Sequence, residues 1–210
     1  MIAVSSIRNF TDANHEYARN QIAAHESWLR VFKAIVYFNE QPQPELQDEQ
    51  TSFVPSEPFP QLYRLAEFCM CQPEWCSILN ADIVVTHLLH HVEKKLDKCR
   101  ANMATSWRHQ FDPAVGLQPC ERVDNGLDFY AATPDIWAKV YQDCPPELRL
   151  GAIQWDSWLL SYFNAKAKRD FYDITEWKCI LHPLHGHRAY GPAPPPVHFY
   201  GMPGMTSLKL

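Results

Sequence analysis

A chain of 210 residues, 46% hydrophobic and 13% aromatic, suits one domain with a full core. A formal charge of -5 and an isoelectric point of about 6.0 exclude the broad basic footprint of a general nucleic-acid binder, and leave only a local basic groove open. Seven cysteines at irregular spacing, with no CxxC pair, exclude a secreted disulfide framework and read as reduced thiols.

The segment MIAV (1–4) reads as a short buried strand followed by the loop SSIRNF. It lacks the apolar core and cleavage region of a signal peptide. No run reaches the ~18 apolar residues of a membrane span. A soluble protein of the cytoplasm is expected, or of the host cytoplasm for a viral chain. From Asn14 to Phe32, Tyr17, Ile22, Ala24, Trp28, Leu29 and Phe32 recur at helical spacing, and AIVYFNE (34–40) follows as a second strand. Strand, helix, strand is the signature of a parallel α/β sheet. Residues 41–60 are polar and proline-rich, a loop with room for a short strand at Ser52–Val54.

Residues 61–76 predict a helix ending before Pro73, and SILNADIVV (77–85) a strand interrupted by Asn80-Ala81-Asp82. A helix is expected over 87–100 and strands over 102–112 and 127–133, after which Pro134 opens a helix at its first turn. A helix over 151–168 and a strand from Phe171 to Ile180 complete the pattern, and the tail after Tyr190 is too rich in Pro and Gly to be regular. The whole reads as a single mixed α/β domain with a mainly parallel sheet flanked by helices.

Three stretches carry candidate chemistry. ILNADIVV puts Asn80 and Asp82 at the end of a buried strand, where open α/β sheets bind ligands. On a strand, positions i and i+2 point the same way. The pair could hold a divalent cation and a sugar hydroxyl, or Asp82 could simply cap a turn; spacing does not choose. GAIQWDSWLL sets Asp156 between two tryptophans at a helix start. There a carboxylate serves either as an N-terminal cap or as a general base made more basic by its aromatic walls. LHPLHGHR places His182, His185 and His187 within six positions, and a loop of imidazoles is a ready transition-metal site.

Taken in order, MIAVSSIRNF, QIAAHESWLRVFKAIVYFNE, ILNADIVV, NGLDFYAATPDIW, GAIQWDSWLL and HPLHGH resemble the nucleotide-sugar-dependent glycosyltransferases of the GT-A fold, a Rossmann-related architecture. The resemblance covers residues 1–188, leaving 189–210 as a Pro/Gly-rich arm. It implies that Ser5, Ser6 and Arg8 contact the nucleotide, that Asn39 and Glu40 touch base or ribose, and that Asn80 and Asp82 stand at the Asp-x-Asp positions. It further implies that Asp82 binds the metal together with His185 or His187 (His182 being a third candidate), and that Asp156 is the acidic residue that serves as catalytic base or binds the acceptor. Mn²⁺ or Mg²⁺ is the implied cofactor and a nucleoside diphosphate sugar the donor, with UDP-sugar favoured.

The implied reaction moves the sugar to an acceptor hydroxyl, with inversion favoured by direct attack and retention left open. The acceptor could be a hydroxymethylated pyrimidine in DNA, a glycan or a small molecule. Arg8 and Arg108 are candidates to meet phosphate charge, and Arg108 reads at least as well as a solvated surface residue. The chain departs from the family at Asn80, where the first acid of the motif is expected. That departure keeps open a second reading, a catalytically degenerate nucleotide-sugar-binding protein of the same fold. A metal-dependent hydrolase built on the histidines lacks a HExxH or paired-carboxylate signature.

Overall fold

The computed structural model describes residues 1–7, 10, 15–119, 123–151, 155–166 and 171–184, with backbone alone at 123–126 and 166. Chain order is β1 (Ile2–Ser5), α1 (His15–Trp28), β2 (Ala34–Asn39), β3 (Thr51–Pro55), α2 (Leu62–Met70), β4 (Cys76–Leu79), β5 (Val84–Val85), α3 (Leu89–Cys99), β6 (Met103–Phe111), β7 (Val123–Ala132), α4 (Pro134–Asp143), α5 (Trp155–Lys166), β8 (Phe171–Asp173) and β9 (Ile180–Pro183). These strands form one sheet in the order β3-β2-β1-β4-β7-β6-β9-β5, with β8 beside the first half of β6. All are parallel except β7 and β5.

The apolar runs of the first strands follow from burial on both faces. Ala3, Ile35, Tyr37 and Leu79 face the layer of α1 and α3, where Trp28, Leu89, Val92 and Leu96 meet them. Val4, Val36, Phe38 and Ile78 face α2, α4 and α5, against Leu65, Trp137 and Phe163. Each such Val, Leu, Ile or Phe side chain fully withdrawn from water contributes roughly 1.5–3 kcal/mol. The expected mixed α/β domain with a mainly parallel sheet is therefore observed. The predicted short strand near Ser52–Val54 is β3, and Pro134 opens α4 as expected.

The helix expected to end before Pro73 does so at Met70, where Cys71 closes it with backbone bonds to Phe68 and Cys69. Two local expectations differ. The strand predicted over 171–180 divides into β8 and β9, separated by a 3-10 turn at Thr175–Trp177 and the left-handed Lys178 (φ 49°). The interrupted strand 77–85 ends at Leu79. The Ile83 N–H then bonds the Asn80 carbonyl at 3.2 Å, closing a turn. Asn80 and Asp82 therefore sit in a turn, and the shared direction expected of alternate strand residues does not apply.

Candidate functional site at the end of strand β4

The Asn80–Ile83 turn lies at the carboxyl end of β4, next to the antiparallel β7. It is pinned from α1. Trp28 Nε1 donates to the Ile83 carbonyl at 2.6 Å, and Val85 N donates to Ser27 Oγ at 3.0 Å. Ser5 Oγ donates to the Leu79 carbonyl at 2.6 Å, tying the end of β1 to the last residue of β4. The turn is thus held on two sides before any ligand arrives.

Asp82 is buried in this turn, and its Oδ2 lies 3.4 Å from His182 Nε2. His182 stands on β9, opposite Gln110 of β6, and β9 also pairs with β5. The first histidine of LHPLHGHR is therefore a strand residue, not a loop residue. His185 and His187 lie outside the described residues, as do Arg8 and the proposed arm 189–210.

Asp128 of β7 is buried at 4% exposure, and both its oxygens are engaged. Asn80 Nδ2 donates to Oδ1 and Arg108 Nη1 to Oδ2, each at 2.5 Å. Arg108 rises from β6 where the β6–β7 register shifts on either side of Trp107, the kind of irregularity that re-aims a side chain. The reading of Arg108 as a solvated surface residue does not hold: its side chain keeps only 14% of its exposure. Burial pushes the Asp128 carboxyl up, Arg108 and His182 pull it back, and Asp82 pushes it further up.

Asp156 opens α5 half-buried, and Tyr130 of β7 donates its hydroxyl to the Asp156 carbonyl at 2.5 Å. Its own Oδ1 accepts the Ser157 N–H at 2.8 Å. Burial raises the Asp156 carboxyl, against the Ser157 N–H and the charge of Arg108. The Ser157 N–H bond and desolvation act on the same carboxyl in opposite directions.

Asp82, Asp128, Asp156, His182 and Arg108 thus form one electrostatically linked group around the end of β4. The sequence pointed to Asp82, Asp156 and Asn80, with His182 and Arg108 as lesser candidates. It missed Asp128, whose one signal is a carboxylate inside the buried run Leu127–Phe129. Ser5 is spent on Leu79, and Ser6 is half-buried in the following loop. Asn39 is buried at the end of β2 and donates to the Gln41 carbonyl at 2.8 Å, while Glu40 is exposed. Lys94, Lys95 and Lys98 are exposed on α3, whose opposite side buries Leu89, Val92 and Leu96, and the exposed Arg100 caps its C-terminal end, so the lysines form a solvated helix face.

Among the described residues, no three His, Cys, Asp or Glu side chains lie together as a cation site. Asp82 and His182 supply one carboxylate and one imidazole. That set fits a Mg²⁺- or Mn²⁺-type ion that takes its remaining oxygens from substrate phosphates and water. None of the six described cysteines is paired, and no described helix is long and apolar enough to cross a membrane.

No protein-family model and no curated protein matches the chain. Solved structures share its fold. One is assigned as a glucose-1-phosphate thymidylyltransferase of Bacillus anthracis, solved with sucrose. It superimposes at a TM-score of 0.52 and 7% identity, over 83% of this chain and 86% of that one. Another is the 4-diphosphocytidyl-2C-methyl-D-erythritol synthase of Anaerococcus prevotii, with a TM-score of 0.52, 9% identity, and coverage of 83% and 87%. At such identities the likeness establishes the fold, a Rossmann-related α/β sheet.

Proposed function

We propose that this protein is a divalent-metal-dependent glycosyltransferase that takes a nucleoside diphosphate sugar, UDP-sugar by preference, and passes the sugar to an acceptor hydroxyl. The observation that carries the reading is the buried pair of Asp82, in the turn after β4, and His182 of β9, beside Asp128, Arg108 and Asp156. A cation held by Asp82 and His182 would neutralise the diphosphate as it leaves. Asp156 takes the proton of the acceptor hydroxyl while that oxygen attacks the anomeric carbon. The bond from that carbon to the diphosphate oxygen breaks, and the configuration inverts. Arg108 adds a permanent positive charge toward the departing diphosphate.

Two of the structural neighbours, the thymidylyltransferase and the diphosphocytidyl-methylerythritol synthase, are nucleotidyl-type enzymes, and the shared fold makes nucleotidyl transfer the second reading. Its phosphate chemistry favours a glycine-rich backbone cradle for a triphosphate. Here the loop after β1 is SSIRNF, and the first glycine in the chain is Gly116. Sugar transfer is therefore preferred. The Asn80 side chain donates to Asp128, which accounts for an amide in place of the first acid of the Asp-x-Asp pattern.

The test is a thermal-shift screen with UDP, GDP, CDP and TDP, with and without Mn²⁺, followed by a donor-hydrolysis assay on the matching UDP-type sugar. A ligand that binds only the native state raises Tm by mass action. A metal-dependent shift with slow release of the free sugar supports the transferase. Binding without any turnover supports the degenerate reading. Pyrophosphate release from a nucleoside triphosphate with a sugar phosphate supports nucleotidyl transfer. No shift with any diphosphate removes the donor site altogether.

A further inference from the structure

We propose that Asp128 is a positioning residue that, together with Asn80, fixes the Arg108 guanidinium beside the end of β4 to receive the donor's diphosphate. This rests on the donor-site reading above. A buried carboxylate is costly unless both oxygens are satisfied. Asp128 meets that demand with two 2.5 Å bonds, one from the Asn80 amide and one from Arg108. Between them these three residues join the turn after β4 to β6 and β7 across the site. Arg108 carries the permanent charge in a group that otherwise holds three carboxylates and an imidazole. An arginine presents its donors in a rigid fork that matches phosphate oxygens, and the fork recognises a phosphate well only when its orientation is set.

The same geometry explains why position 80 carries an amide. An aspartate there would bring a second carboxylate to 2.5 Å from Asp128 Oδ1, where two like charges repel. The amide donates instead. Asn80 is matched to Asp128, and its departure from the expected acid is a consequence of where the neighbouring strand places its own carboxylate.

The experiment is calorimetric titration of the full chain with UDP plus Mn²⁺, and with uridine as a control that lacks the diphosphate. Arg108→Gln is expected to weaken UDP binding about tenfold, in keeping with the loss of one charge-assisted phosphate contact. Asp128→Asn is expected to weaken it by roughly the same order, the usual scale for losing an orienting partner. Uridine binding stays unchanged in both. The double variant R108Q/D128N binds UDP no more weakly than Arg108→Gln alone, because Asp128 acts through Arg108.

The exchange N80D/D128N restores a donor facing an acceptor across the pair. It is expected to recover most of the Tm that Asp128→Asn loses, which separates misfolding from misplacement of Arg108. UDP binding undiminished in Arg108→Gln overturns the inference alone, as do single-variant losses that add in full. A wild type that binds none of UDP, GDP, CDP or TDP overturns the donor reading and this inference with it.

Discussion

His182 Nε2 lies 3.4 Å from Asp82 Oδ2, although Asp82 sits in the turn after β4 and His182 on a strand near the other end of the described chain. Two features bring them together. The sheet order places β9 between β6 and β5, and the short β5 that follows Asp82 pairs directly with β9, Val84 opposite Leu181. The register of that two-residue strand fixes which β9 side chain meets Asp82. Proposed ligands from distant parts of the sequence are thus joined by a pairing too short to be read from either segment alone.

Substitution at this pair tests the metal reading. Asp82→Ala and His182→Ala are each expected to remove the Mn²⁺-dependent part of the UDP thermal shift. Loss of a direct ligand should cost at least the about 10–100-fold in metal affinity that loss of an outer partner costs. Donor turnover should fall by about 100-fold or more. A full metal-dependent shift in His182→Ala would reassign the imidazole, with His185 and His187 next in line.

The wall behind the site is as specific as the pair itself. Trp28 is fully buried, stacks on Tyr37 at 5.8 Å, and donates its indole N–H to the Ile83 carbonyl one residue after Asp82. Trp28→Phe keeps most of the apolar volume but leaves that buried carbonyl without its donor. A loss of about 1–3 kcal/mol in chemical denaturation is expected. Mn²⁺ binding in the presence of UDP should weaken as well, because the turn carrying Asp82 loses its anchor. A stability loss with unchanged metal binding would show that the turn holds its shape without Trp28.

Much of this fold was legible because the strand signal was local. The apolar runs MIAV and AIVYF, flanking an amphipathic helix, are a parallel unit buried on both faces, and they gave β1, α1 and β2. The end of β4 was legible too, as Asn-Ala-Asp interrupts an apolar run. What that end does with its side chains was not. The pairing of Asn80 with Asp128 depends on an antiparallel β7 inserted beside β4, a non-local choice invisible to periodicity. The same holds for His182. Three clustered histidines signalled a loop site, whereas the β5–β9 pairing places the first of them on a strand against Asp82. Arg108 looked like a surface residue because a strand's alternation says nothing of an irregular register, and it is that shift that accompanies its turn toward Asp128.

A second buried polar cluster sets an acid limit on stability. His25 of α1 contacts the Tyr37 hydroxyl through Nδ1 at 3.1 Å and Asp48 Oδ2 through Nε2 at 3.0 Å. Burial raises the Tyr37 hydroxyl, so it stays protonated and donates to Nδ1, while Nε2–H donates to the carboxylate. Burial also lowers the His25 pKa below 6.5, although Asp48 opposes the shift. Between the native value and 6.5 the unfolded chain binds more protons than the folded one, so stability rises with pH and is lost as pH falls from 6.5. Asp128 and Asp156 run the other way. Their folded values are raised, so their contribution falls as pH climbs from 3.8 through those values. The His25 part is isolated by difference. The Tm deficit of His25→Gln relative to wild type should shrink as pH drops from about 7 to about 5, and a constant deficit would assign the acid sensitivity elsewhere.

Asp156 carries the last expectation, because its two surroundings pull its acidity in opposite directions. Desolvation raises the carboxyl above 3.8, and the Ser157 N–H and Arg108 charge lower it. A general base works only when deprotonated, so the acid limb of the donor-transfer rate should lie above the ordinary aspartate range. Removing the guanidinium in Arg108→Gln takes away one lowering influence, and that limb should move to higher pH. Asp156→Asn should depress kcat by about 10²- to 10⁴-fold while leaving UDP affinity unchanged, since the acceptor-side proton is not part of donor binding. The Tyr130 hydroxyl bonds the Asp156 backbone carbonyl, not its carboxyl, so the helix start stays in place in the Asn variant. A pH–rate profile of wild type, Arg108→Gln and Asp156→Asn on one donor decides the matter. An acid limb that ignores Arg108, or an Asp156→Asn enzyme with full kcat, would leave Asp156 as a helix cap and move the base to another side chain.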